Sequence, residues 1–189
     1  MALSLSDASR IHTAPMGHLI PVGDRHPQRP AFLAPTAVVC GDVTFGPGCS
    51  VWFGAVIRAD INRIVLGAAC NVQDVACIHV SKKQPAILGD RVSMGHGAIV
   101  HACTVGSGTL VGMGSRVLDG ADIGEGCLIA AGCVVPEGMV VPPHHLVAGV
   151  PGRVVKELGP ELRERIGRIA GDYVAYQALY PGIQAAIQA

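Results

Sequence analysis

The stretch Val105-Gly-Ser-Gly-Thr-Leu-Val-Gly-Met-Gly-Ser-Arg-Val-Leu-Asp-Gly-Ala-Asp-Ile123 places an apolar, β-branched residue at every sixth position: Val105, Val111, Val117 and Ile123. The series runs on through Ile129 and Val135. Toward the N-terminus the same period holds Leu33, Val39, Phe45, Val51 and Ile57, then Leu66, Val72 and Ile78, then Leu88, Met94 and Val100. A three-residue insertion follows Ile57, a four-residue insertion follows Ile78, and a one-residue slip precedes Val105. A sandwich or barrel of alternating strands would show period two instead. Period six marks a β-helix, in which three hexapeptides make one triangular coil. The expected fold is therefore an all-β solenoid, a left-handed parallel β-helix over residues 31–155. Glycine often follows the apolar residue, as at Gly46, Gly89, Gly106 and Gly124. Corner conformations that other residues resist are expected there.

Composition agrees with a thin stack of short strands. Half of the 189 residues are hydrophobic but only 4 % are aromatic, and glycine is abundant at 25. Small and β-branched residues suit stacked strands, whereas a compact globule wants large aromatic plugs. Fourteen basic and fourteen acidic side chains cancel, which gives no field to draw nucleic acid or an anionic membrane. No apolar run reaches the roughly 18 residues that span a bilayer. Met1–Asp7 lacks the basic and apolar regions of a signal peptide. Seven cysteines, an odd count without a C-x-x-C pair, argue against disulfides and for a reducing, cytoplasmic setting. Cys49, Cys70, Cys127 and Cys133 fall four places after the apolar residue of their hexads, and read as small buried hydrophobes rather than nucleophiles.

Two flanks complete a single domain. Residues 1–30 are proline-rich and aperiodic, and read as an extended segment against the first coil. Gly159-Pro160-Glu161 reads as a helix start. Leu162, Ile166, Ile169, Tyr173 and Tyr176 then recur at helical spacing until Pro181-Gly182. A C-terminal α-helix over 159–180, packed along the β-helix, is expected, with its tyrosines as packing residues.

Three of the eight histidines lie inside the repeat. If the insertions bulge outward, Ile57, Ile78 and Val100 stack on successive coils, and Arg58, His79 and His101 form a column one place later. Neighbouring strands are about 4.8 Å apart, so the two imidazoles can converge on one metal ion. His96 belongs elsewhere: Met94 stacks on Val72, so His96 stacks on Asp74, on another face. A threefold assembly resolves this by bringing His96 of one subunit to His79 and His101 of the next. His12, His18, His26, His144 and His145 lie outside the repeat and read as solvated.

Several stretches resemble the gamma-class carbonic anhydrase family, over about residues 30–180: Ser50-Val-Trp-Phe-Gly-Ala-Val-Ile-Arg-Ala-Asp60, Asn71-Val-Gln-Asp74, Ile78-His79, Met94-Gly-His-Gly-Ala-Ile-Val-His101, Val111-Gly-Met-Gly114 and Ala148-Gly-Val-Pro-Gly-Arg153. The resemblance implies a homotrimer with metal sites at its interfaces, holding Zn²⁺ or alternatively Fe²⁺ or Co²⁺. It implies His79, His96 and His101 as ligands, and Arg58, Asp60 and Asp74 as a polar network between subunits. It also implies Gln73 as the residue that orients metal-bound solvent, and hydration of CO₂ to bicarbonate as the reaction. One departure stands out. The family archetype carries a proton-shuttling glutamate in an acidic loop after its first metal histidine, where this chain has Val80-Ser-Lys-Lys-Gln-Pro85. Ile61 replaces a second glutamate. The chain resembles the short-loop branch, for which slow turnover is expected. The competing readings are a thioesterase-like use of the same metal, a non-catalytic metal-binding module, and a metal-free acyltransferase.

Overall fold

The computed structural model describes residues 17–181; the expectations for His12 and for Met1–Asp7 fall outside them. The chain winds into a parallel β-solenoid of about seven turns with one C-terminal helix, the left-handed β-helix of hexapeptide repeats. The sixfold period becomes three vertical columns of strand partners. Leu33, Val51, Val72, Met94, Val111, Ile129 and Val147 follow one another on the first face. Val39, Ile57, Ile78, Val100, Val117 and Val135 do so on the second. Phe45, Leu66, Leu88, Val105, Ile123 and Val141 do so on the third. All but Phe45 are at most 2 % exposed. Each hexad thus contributes one large inward side chain, each aliphatic one worth about 1.5–3 kcal/mol when fully buried. So narrow a column has little room for aromatic rings, which accounts for their scarcity.

The strands Val38–Phe45 and Val56–Leu66 run unbroken through the corner between the second and third faces. They join those faces into one eleven-stranded sheet, while the first face forms a separate eight-stranded sheet. All three breaks of the sixfold register fall at this corner. The first insertion is absorbed within Val56–Leu66, the second forms the loop after His79, and the slip follows His101. The most irregular corner is the one beside the paired histidines.

The glycines after the apolar residues serve a different purpose from the one expected. A Cβ on Gly106 would lie 2.5 Å from the Glu125 nitrogen on the next coil, so the requirement there is close approach of backbones. The left-handed residue is Gly108, two places later, with φ +69. The cysteines behave as expected: Cys49, Cys70, Cys127 and Cys133 are at most 1 % exposed, and all seven thiols are free.

His18–Ile20 adds a parallel strand beside Val38–Cys40, and Gly152–Glu157 pairs antiparallel with His145–Gly149 at the other end. Pro160 opens the helix Pro160–Tyr176, which passes into a short 3₁₀ turn at Gln177–Leu179. The α-helix thus ends before the expected Pro181. Ile166 and Ala170 are its buried residues. Tyr173 meets Trp52 edge-on at 5.2 Å, and the Gln177 amide donates to the Gly48 carbonyl at 3.0 Å. No helix among the described residues is long and apolar enough to cross a membrane.

Candidate metal centre

The strands Val56–Leu66, Cys77–His79 and Ile99–His101 pair in parallel so that Arg58, His79 and His101 are successive partners. This is the column expected from the spacing. The two imidazoles lie 5.0 Å apart between centroids, with His79 Nδ1 3.0 Å from His101 Nε2. The outer nitrogens are also engaged. His79 Nε2 lies 3.0 Å from Asp60 Oδ1, and Asp60 Oδ2 accepts a hydrogen bond from Arg58. His101 Nδ1 contacts the carboxylate of Asp119. Burial acts to raise the Asp60 carboxyl, but hydrogen bonds from His79 and Arg58 outweigh it and hold the group below its ordinary value.

His96, expected on another face, sits instead in the turn between the first-face strand Ser93–Met94 and the second-face strand Ile99–His101, and so at the opposite edge of the histidine pair's face. Its Nδ1 lies 2.8 Å from Asp74 Oδ2, the partner expected from stacking. Gln73 is buried beside Asp74. Its amide donates to Asn71 at 3.0 Å, and Asn71 donates to Ser93 at 2.8 Å. The candidate residues therefore form two groups. Arg58, Asp60, His79 and His101 share one corner; Gln73, Asp74 and His96 share the other. His96 and His101 are separated by up to about 16 Å of extended chain, at roughly 3.3 Å per residue. Among the described residues of one chain, no three metal-ligating side chains converge.

Asp119 is the member of this network that spacing alone did not pick out. It stands 18 residues after His101; the slip shortens this coil to 17 residues, since Val100 pairs with Val117, so Asp119 falls one place past the position that stacks on His101. His144, expected to be solvated, is half-buried, its side chain 36 % exposed. With φ 62 it sets its ring against Gly126, with Nε2 3.6 Å from Glu125 Oε1 and Nδ1 buried without a hydrogen-bond partner among the described residues.

Beyond the carboxylates of Asp60 and Asp119, the insertions carry cationic side chains. The two insertions, with Arg25, frame a cleft of about 360 Å³ whose charged lining is Arg25, Arg63, Lys82, Lys83 and Asp42. On the far corner, Asp74 lines an aromatic pocket of about 310 Å³ with Trp52, Phe53 and Tyr173. Burial, with added repulsion from Asp74 and Tyr176, pushes the Tyr173 phenol up to about 12.

Comparison with known proteins places these features in context. A family model described as "Bacterial transferase hexapeptide (six repeats)" matches residues 102–137. The Methanocaldococcus jannaschii protein named "Probable carbonic anhydrase" is 54 % identical over 142 residues, covering 75 % of this chain and 89 % of that one. "Gamma carbonic anhydrase 1, mitochondrial" of Arabidopsis thaliana is 42 % identical over 49 % of this chain, which spans only 37 % of the plant protein. The crystal structure of a hexapeptide transferase family protein from Anaplasma phagocytophilum superposes with a TM-score of 0.82 at 33 % identity, covering 86 % of this chain and 98 % of that one.

Proposed function

The chain belongs to the gamma carbonic anhydrase family of hexapeptide-repeat proteins, and from that premise we propose that it hydrates CO₂ reversibly to bicarbonate at a divalent metal, zinc foremost, held between subunits of a cytoplasmic homotrimer. The observation that carries this reading is the 3.0 Å approach of His79 Nδ1 to His101 Nε2. Two nitrogens bound tetrahedrally to zinc at 2.0–2.1 Å are separated by about 3.3 Å, so the pair already approximates one edge of such a site. The donor chemistry fits the metal, and Fe²⁺ or Co²⁺ would suit the same imidazoles.

The third ligand follows from symmetry. The face carrying Ile99–His101 has the histidine pair at one edge and His96 at the other. If that face turns toward a threefold axis, each edge meets a different neighbour, and His96 of one subunit reaches His79 and His101 of the next. Closed rings repeat one heterologous interface in this way. Arg58 and Asp60 on one edge, and Asp74 and Gln73 on the other, would then meet across each interface.

When bound, zinc on three neutral imidazoles supplies a water acidified to a pKa of about 7, the value known from carbonic anhydrase itself. The chain's own residues do the rest. His79 and His101 hold the metal position open toward the interface, and the Gln73 amide orients solvent there. The loop after His79 carries Lys82 and Lys83, whose ammonium groups donate but do not accept, in place of an acidic proton shuttle, so turnover is slow. The free cysteines fit a reducing compartment.

Thioester hydrolysis would use the same ligands, and a non-catalytic module would keep them for structure. A metal-free acyltransferase has the transferase names of its fold relatives in its favour, but it gives no role to the histidine pair. Metal analysis and stopped-flow CO₂ hydration on one sample, beside a His101→Ala control, test the proposal. Stoichiometric metal and hydration well above the control are expected. Hydration equal to the control in a metal-replete trimer overturns it.

A further inference from the structure

We infer that Asp119 is a positioning residue: it fixes the tautomer of His101, so that Nε2 is the bare nitrogen facing the metal position. The fold brings it there. The Gly120 nitrogen donates to the Ala102 carbonyl at 2.8 Å, which seats the turn around Asp119 one coil beyond His101. The Asp119 carboxylate has His101 as its ion-pair partner among the described residues.

A carboxylate accepts a hydrogen bond only from a nitrogen that carries hydrogen. Contact with Asp119 therefore puts the proton of neutral His101 on Nδ1 and leaves Nε2 bare. Asp60 does the same to His79 from the other side, holding Nε2–H and leaving Nδ1 bare. The two bare nitrogens then face each other at 3.0 Å, where neither can donate to the other. Such a pair gains from a cation between its lone pairs.

Without Asp119 a competing arrangement opens. His101 could carry its proton on Nε2 and donate it to His79 Nδ1, making an ordinary hydrogen bond across the metal position. Asp119 excludes that self-satisfied state. His96 shows the same device, its Nδ1 lying 2.8 Å from Asp74. Each of the three histidines thus has its own carboxylate. Partners of this kind orient ligands and raise their basicity.

The purpose assigned to Asp119 rests on the proposed metal site, but its geometry does not, and the experiment separates the two. In ¹⁵N-histidine-labelled, metal-free protein, long-range ¹H–¹⁵N correlation reads the tautomer of His101. The wild type is expected to show Nδ1–H, and Asp119→Ala to shift toward Nε2–H. Zinc affinity by chelator competition is expected to fall about 10–100-fold in Asp119→Ala. Asp119→Asn keeps an acceptor oxygen without the charge, so it should retain the tautomer and lose less affinity; it also serves if the alanine variant does not fold. Nε2–H on wild-type His101, or a tautomer unchanged in Asp119→Ala, overturns the inference. So does zinc affinity unchanged in Asp119→Ala. If wild-type protein binds no zinc, the metal proposal fails, while the tautomer shift still decides the role of Asp119.

Discussion

His79 and His101, 22 residues apart in the chain, are direct partners on adjacent parallel strands, and their rings face each other with nitrogens 3.0 Å apart. His96 lies at the other edge of the same face, so a shared site makes a prediction that an intrachain site does not. His96→Ala and His101→Ala should each abolish hydration and metal binding as purified proteins. Unfolded together and refolded as mixed trimers, they should regain function, because an interface that takes His79 and His101 from one variant and His96 from the other is intact. An equal mixture restores about one site in four, since each interface draws its two sides independently. Metal content and rate should recover together. No recovery in trimers shown by mass spectrometry to be mixed would exclude the intersubunit arrangement.

The histidine column was legible because period six fixes which residues stack once the insertions are allowed to bulge. Ile57, Ile78 and Val100 follow from counting, and Arg58, His79 and His101 follow from them. Asp119 was harder to see, since its contact with His101 crosses the slip between Val100 and Val105, where counting from the preceding coils loses register. The half-burial of His144 was harder to see for a different reason: its left-handed backbone sets the ring against Gly126, and no side-chain pattern reports that. The α-helix ends at Tyr176 because the chain tightens into a 3₁₀ turn at Gln177–Leu179 that carries Tyr180 onto Trp52 as well, so the later Pro181 is not its stop.

Two glycines separated by one residue test the packing of the coils. Gly106→Ala drives a Cβ to 2.5 Å from the Glu125 backbone, whereas Gly108→Ala meets open space and bears only left-handed strain at φ +69. That strain costs roughly 1–2 kcal/mol. Gly106→Ala must separate two coils, so its loss is expected to be larger. Thermal denaturation should therefore rank wild type above Gly108→Ala, and Gly108→Ala above Gly106→Ala. The reverse order of the two variants would show that conformation, rather than close approach, selects glycine after the apolar residue.

Tyr173 sits near Asp74 in the aromatic pocket, and its phenol is raised by burial to about 12. A group with so high a value is poorly matched to proton transfer near neutral pH, so Tyr173→Phe is expected to leave the pH profile of hydration unchanged below pH 9. Stability should respond in alkali. The folded state keeps the phenolic proton after the unfolded chain, near its ordinary value of about 10, has begun to lose it. The stabilisation is therefore complete below about pH 10 and is lost as pH rises toward 12. Melting temperature should fall across that window more steeply for wild type than for Tyr173→Phe. Parallel curves would show that the phenol titrates alike in both states.

The cationic cleft framed by the two insertions bears on rate rather than on binding. Its charged lining includes Lys82, Lys83 and Arg63, with Asp42 as the one carboxylate, so the loop after His79 presents no acceptor for the proton released in each turnover. External buffer should take its place. With the trimer metal-replete, kcat for CO₂ hydration is expected to climb with imidazole concentration while kcat/KM stays constant, because proton export follows the chemical step. Lys83→Glu places a carboxylate on that loop and should raise kcat at low buffer with little effect at high buffer. A kcat independent of buffer, in a protein as slow as proposed, would place the slow step within the metal site and remove the shuttle as its explanation.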